Sequence, residues 1–237
     1  MTETKNNPLP ENKPKGLLIN LLFNIIIPTL ILTKLSGTQH LGVHNALIIA
    51  LAFPISYGLH GFIQTKKINF FSALGIINVS LTGGIGLFEL DPKYVAIKEA
   101  MIPAIFGIAT LISIKTPYPL INTLIFNDVL LNLKKVKQSL KEHDATKNFQ
   151  KVLVTANYIV AGSFFLSSIL NYVLAHIIVV SQPGTEAFNA EIGKMTALSY
   201  PVIALPSTLV LFLALWYLFN KIKELTSLEL EEIFKQH

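Results

Sequence analysis

Six apolar runs of about 20 residues or more constrain this chain more than any other feature. They cover about 16–35, 43–63, 70–90, 96–116, 152–180 and 198–219. A 20-residue helix rises about 30 Å, the thickness of a bilayer's hydrocarbon core. A soluble helix hides only one apolar stripe, whereas these runs are apolar all round, as a membrane span requires. Charged residues make up 14% of the chain, against about 25% in a typical soluble domain. The expected fold class is all-α: a polytopic integral membrane helical bundle with about six transmembrane helices. One transmembrane domain over 16–219 accounts for nearly the whole length.

Charge sets the expected orientation. Residues 1–15 are polar and carry Pro8, Pro10 and Pro14, which reads as a flexible cytoplasmic tail. The run behind them exceeds the roughly 7–15 apolar residues of a signal peptide, so it reads as a retained first span. With the N-terminus inside, 15 of the 19 lysines fall on cytoplasmic segments, among them Lys66, Lys67, Lys134, Lys135, Lys137 and Lys141. Such a bias follows the rule that basic loops stay inside. Both termini are therefore expected in the cytoplasm.

Two further elements lie outside the spans. In the loop 117–151, Phe126, Leu130, Leu133, Val136 and Leu140 recur every three or four positions, with lysines between them. This predicts a cytoplasmic amphipathic helix between spans four and five, lying on the membrane surface and attracting anionic lipids. Residues 220–237 carry Ile222, Leu225, Leu228 and Ile233 at helical spacing and read as a cytoplasmic C-terminal helix.

The fourth span has a readable start. Asp91 is a good N-cap and Pro92 suits the first helical position. The helix is expected to run to about Thr116, before Pro117. Lys98 and Glu99 enter its apolar stretch, and an ionisable group in a span costs about 2.5–3.5 kcal/mol on insertion scales unless paired or facing a cavity. Lys34, Glu89, Asp91, Lys98 and Glu99 thus form a candidate charge cluster, either structural ion pairs or a gate. Adjacent residues point about 100° apart on a helix, so Lys98 is expected to pair with Glu89 and Glu99 with Lys34. Polar residues inside the runs are the second candidate set: Asn24 (sharing a face with Asn20), Asn78 with Thr82, and Ser163, Ser167 and Asn171 at four-residue intervals. They would line a pathway or join helices by hydrogen bonds worth about 0.6 kcal/mol each.

Other chemistry finds little support. All 19 basic residues are Lys, and Lys lacks the bidentate grip of Arg on phosphate, which speaks against nucleic-acid binding. There is no Cys, hence no thiolate nucleophile or Cys-ligated metal. Gly83, Gly84 and Gly86 lack phosphate-loop spacing and read as close helix approach or a flexible helix end. His40 and His44 have no third ligand nearby. No catalytic residue, metal or cofactor is assigned, and the chain reads as non-enzymatic.

The segments Asn69-Phe70-Phe71-Ser72-Ala73-Leu74-Gly75, Leu81-Thr82-Gly83-Gly84-Ile85-Gly86-Leu87, Leu90-Asp91-Pro92-Lys93 and Ile97-Lys98-Glu99-Ala100, with Pro103, Gly107 and Ser113, carry a resemblance over about Asn24–Leu120. The chain resembles a family of uncharacterised bacterial multi-pass inner-membrane proteins, distantly similar to intracellular septation protein A. The resemblance implies the bacterial cytoplasmic membrane and a role in cell-envelope organisation through lipid or membrane-protein partners, and it supplies no catalytic residues. The alternative is a small-solute or ion transporter using the Lys98/Glu99 region. Prolines at 28, 54, 103, 201 and 206 in four of the six spans suit it, because broken helices often build mid-membrane binding sites.

Overall fold

The computed structural model describes residues 19, 21–65, 70–116, 119–121 and 131–234. The tail 1–15, Asn20, Lys66, Lys67, Pro117, Phe126 and Leu130, to which the sequence assigns roles, lie outside them. Among the described residues the fold is helical, without strands; one isolated antiparallel bridge joins Leu131 and Phe234. In chain order come a wide π-helical turn at Leu22–Ile26, α1 (Ile27–Lys34), α2 (Val43–Thr65), α3 (Phe70–Leu87) and α4 (Lys93–Ser113). Next are α5 (Leu133–Glu142), α6 (Thr146–Ile178), α7 (Glu186–Ser199), a second π-helical turn at Tyr200–Ala204, α8 (Leu205–Thr226) and α9 (Leu230–Ile233).

Among the described residues, four helical stretches are long and apolar enough to cross a membrane: Val43–His60, Lys93–Ser113, Thr146–Ile178 and Glu186–Thr226. Leu22–Lys34 and Ile76–Leu87 are shorter apolar helices. The surface they present suits lipid. α8 turns Leu205, Leu209, Phe212 and Trp216 outward, each more than 60% exposed, along one face. A stripe of that kind in water would be an aggregation site.

Two helices exceed their sequence-based bounds. α6 begins at Thr146, not 152, and its 33 residues rise about 50 Å. The last apolar helix begins at Glu186, not 198, so Glu186–Thr226 counts 41 residues and rises about 60 Å. Both outrun a bilayer core of about 30 Å.

Prolines explain the two wide turns. A proline ring clashes with the carbonyl four residues back. Before Pro28 the chain closes Ile27 N–H on Leu22 O, five residues back; before Pro206, Leu205 N–H closes on Tyr200 O in the same way. The wider turn moves the clashing carbonyl aside. Pro54 and Pro103 sit inside α2 and α4 without such a turn.

The chain forms two compact units. The first comprises 1–95 with 176–197. There α3 packs on α2 through glycine: a Cβ on Gly86 would sit 3.3 Å from the buried Phe188 ring and closer still to Leu47. A Cβ on Gly83 would lie 2.8 Å from Leu51, so Gly83 and Gly86 are a site of close helix approach, whereas Gly84 faces only Phe88 of its own segment. α3 ends on Glu89, which takes the left-handed conformation (φ 52°), and Leu90 N–H returns to Ile85 O at 3.0 Å. Glycine normally fills that position at a helix end.

The second unit comprises 96–175 with 198–237. Its core joins Leu133, Val136 and Leu140 of α5 to Phe149, Val152 and Val160 of α6, Leu218 and Ile222 of α8, and Ile233 of α9. Asn132 caps α5 by accepting Lys135 N–H, Ser139 Oγ donates to Thr226 O at 2.8 Å, and Asn132 N–H reaches Ile233 O at 2.8 Å. The apolar side of α5 therefore rests on protein. The tail after 219 is not one helix: α8 continues to Thr226, Ser227 breaks it in a left-handed turn (φ 55°), and α9 starts afresh behind a Glu229–Glu232 capping box. Residues 235–237 lie outside the described set.

Candidate functional site

In the first unit the loop ends gather several of the candidate charges. Asp91 caps α4: Lys93 N–H donates to its Oδ1 at 2.9 Å, and Lys93 Nζ lies 3.0 Å from Oδ2. These two contacts, the backbone bond foremost, hold the Asp91 carboxyl below its ordinary range. Glu89 lies 3.7 Å from His44 Nε2, with both side chains more than half exposed. The Glu89 carboxyl also lies over Gly184, whose positive φ of 82° and missing Cβ leave room for it. Lys34 is exposed at the end of α1.

Two polar residues that sequence reasoning missed organise the same unit. Asn189, fully buried on α7, donates to Ser36 Oγ at 3.0 Å and to Val43 O at 2.8 Å. It ties the loop between α1 and α2 to α7. Glu191 accepts Val180 N–H and Ser181 N–H, both at 2.9 Å, and the Ser181 hydroxyl at 2.7 Å. The segment 186–197 held no long apolar run, so nothing in hydropathy marked it. Asn24 and Asn78 are half-buried; Asn78 O accepts the Thr82 hydroxyl at 3.1 Å, a back-bond within α3.

In the second unit Lys98 and Glu99 pair with each other. Lys98 Nζ lies 2.6 Å from Glu99 Oε1, with side chains 5% and 19% exposed. The expectation that neighbours on a helix must seek separate partners fails here. The four-carbon Lys stem is long and flexible enough to bring the ammonium to its neighbour's carboxylate, and in apolar surroundings the Coulomb attraction between them is strong. The expected partners Glu89 and Lys34 belong to the first unit.

The Ser163, Ser167 and Asn171 stripe divides. Ser163 is buried and donates to Ser207 O at 2.8 Å, joining α6 to α8. Asn171 instead donates to Ser167 O at 2.8 Å within its own helix. Ser168, one step off the stripe, donates to Ala100 O at 2.8 Å and joins α6 to α4. Asn157 is the hub that sequence reasoning missed. It is fully buried, donates to Thr110 O at 2.7 Å, and accepts Ile121 N–H at 3.2 Å. It thereby satisfies the end of α4, where the helix tightens into three-residue turns as far as Thr116. The nearest other buried polar residue on α6, Ser163, is six positions away, off the three- or four-residue helical spacing, so Asn157 carries no periodic signal.

Among the described residues no group of three or more His, Asp or Glu side chains is arranged to hold a metal ion. A groove of about 580 Å³ lies between Ile19, Phe23 and one face of α2, and none of the candidate polar residues lines it. In comparisons with known proteins, no family model matches the chain, and no curated protein or solved structure is significantly similar to it.

Proposed function

We propose that this chain is a six-span protein of the bacterial cytoplasmic membrane, with both termini in the cytoplasm, that contributes to cell-envelope organisation without catalysing a reaction. Leu22–Lys34 and the helix ending at Leu87 supply the two spans beyond the four long ones. The observation that carries a partner-binding role over a pathway is the Lys98–Glu99 contact. An ionisable residue within a span is a functional site by default, and here the two charges neutralise one another at 2.6 Å. Ser163, Ser168 and Asn157 add to this, since each is spent on a neighbouring segment rather than on a cavity. The resemblance to relatives of septation protein A points to the envelope.

Lys134, Lys137 and Lys141 are exposed on α5, while Leu133, Val136 and Leu140 face inward. Anionic lipid would therefore meet α5 through charge alone, without insertion of its apolar face, at about 1 kcal/mol per lysine near the surface. Transport of a small solute or ion is the second reading. The wide turns before Pro28 and Pro206 favour it, because π-helical turns frequently sit at functional sites. A deletion strain separates the two: an envelope defect with unchanged solute uptake supports the first reading, and altered uptake with a normal envelope rejects it.

A further inference from the structure

Near its end the chain makes a strained turn that its sequence does not ask for. Ser227 stands in the left-handed region, with φ 55°, a conformation that Gly and, less often, Asn adopt at a helix end. Residues 221–234 contain no Gly and no Pro, and Leu, Glu and Lys dominate them, so local propensity favours an unbroken helix. The turn instead folds α9 back on α8. The Phe234 ring lies 5.1 Å from the Phe219 ring, at 46°, although one continuous helix would set the two residues about 22 Å apart. At the bend the Leu228 N–H makes a long contact of 3.4 Å to Thr226 Oγ1. The hook is held by few groups. Ile233 is fully buried in the core of the second unit, and its carbonyl accepts Asn132 N–H at 2.8 Å. Lys135 meets Glu232 at 2.9 Å, and Lys223 meets Glu229. One buried side chain and two half-exposed ion pairs are thus set against a strained residue and an interrupted helix.

We infer that α9 is a releasable clasp: the chain after Thr226 exchanges between this hook and a straight continuation of α8 that carries Ile233 off its seat beside α5. A conflict between local propensity and the adopted turn marks such a two-state element, in which two packings of one sequence lie close in free energy. The helical spacing of Ile222, Leu225 and Leu228 fits the straight form. In that form Asn132 N–H and Lys135 lose their partners on α9, so the state of the chain's end governs how firmly the start of α5 is held. The inference goes beyond the reading above and does not depend on the number of spans.

The test measures the distance between spin labels on cysteines placed at Leu209 and Glu231, both exposed, in the full chain in detergent. A straight helix puts these positions about 33 Å apart, and the hook, which returns Phe234 to the level of Phe219, about 20 Å. The unmutated background should show a main population at the short distance and a minor, narrow one at the long distance. Ser227→Ala favours the helix and Ser227→Gly the left-handed turn, so the ratio of long to short should differ between them by about tenfold or more. Ile233→Asp, which removes the buried anchor, should move the main population to the long distance. Should Ile233→Asp fail to fold, the two Ser227 variants decide alone, because Ser227 is exposed. A single short distance in every folded variant would overturn the proposal. So would a broad spread of distances in place of the narrow long one, since the released segment would then be unravelled rather than a continuation of α8.

Discussion

Lys98 and Glu99 are consecutive residues of α4, yet their charges meet at 2.6 Å while the Lys98 side chain is 95% hidden. Removing one partner of such a pair leaves a buried uncompensated charge, at a cost of about 3 kcal/mol or more. Replacing both leaves none. Lys98→Met and Glu99→Gln should each lower thermal stability in detergent, and the double variant should be more stable than either single one. Three variants of wild-type stability would show that the pair does not hold the fold. Normal stability in the single variants with altered solute uptake would favour the transport reading.

Asn157 should prove costlier to lose than any serine on α6. Asn157→Leu strands Ile121 N–H and removes a partner of Thr110 O, a loss of about 1–3 kcal/mol. Ser163→Ala removes one interhelical bond, worth about 0.6 kcal/mol on average. Thermal unfolding of the two variants side by side checks the order, and a larger effect at Ser163 would contradict the hub role.

Two glycines in helices should respond with opposite signs. A Cβ on Gly193 would lie 2.8 Å from Thr33 Cγ2 and 3.2 Å from the Thr29 carbonyl oxygen, and the backbone atom cannot step aside. Gly193→Ala should destabilise by about 1–3 kcal/mol through overpacking. Nothing lies within 4 Å of a Cβ on Gly162 of α6. Gly162→Ala should therefore stabilise by up to about 1 kcal/mol, the helix-propensity difference. Equal effects at the two positions would contradict the close packing of α7 on α1.

The contrast between these glycines shows what the sequence could and could not reveal. Gly83 and Gly86 stood out because they cluster, and close approach followed from their missing side chains. Gly193 stands alone in a stretch without a long apolar run, so the helix it serves, α7, was invisible to hydropathy. The start of α4 was legible because Asp91-Pro92 is a local capping signal. The partner of Lys98 was not, because pairing depends on side-chain bending rather than spacing. The seat of α5 was hidden as well: the pattern Leu133, Val136, Leu140 states that one face is buried and is silent on whether lipid or Ile222 and Ile233 cover it.

Acid should loosen the attachment of α9. Lys135, with its Nζ 2.9 Å from Glu232 Oε1, holds the Glu232 carboxyl below its ordinary range, aided by the Glu229 backbone N–H. A depressed carboxyl contributes stability above its unfolded-state pKa and loses it as pH falls through the folded-state value. Protection of Asn132 N–H, bonded to Ile233 O, should thus fall as pH drops below the usual carboxylate range. Glu232→Gln should show weaker protection at neutral pH and a flatter response. An unchanged profile in that variant would show that the ion pair is idle.

The most direct test of the central claim, six spans with both ends inside, is the accessibility of single cysteines to an impermeant thiol reagent in intact cells. The natural chain has no cysteine, so there is no background. Gln138 on α5 is exposed, as are Gln39 and Thr185. Cysteine at Gln39 and at Thr185 should react from outside, and cysteine at Gln138 should react only after the cells are opened. Labelling at Gln138 in intact cells, or none at Gln39 and Thr185, would contradict the account.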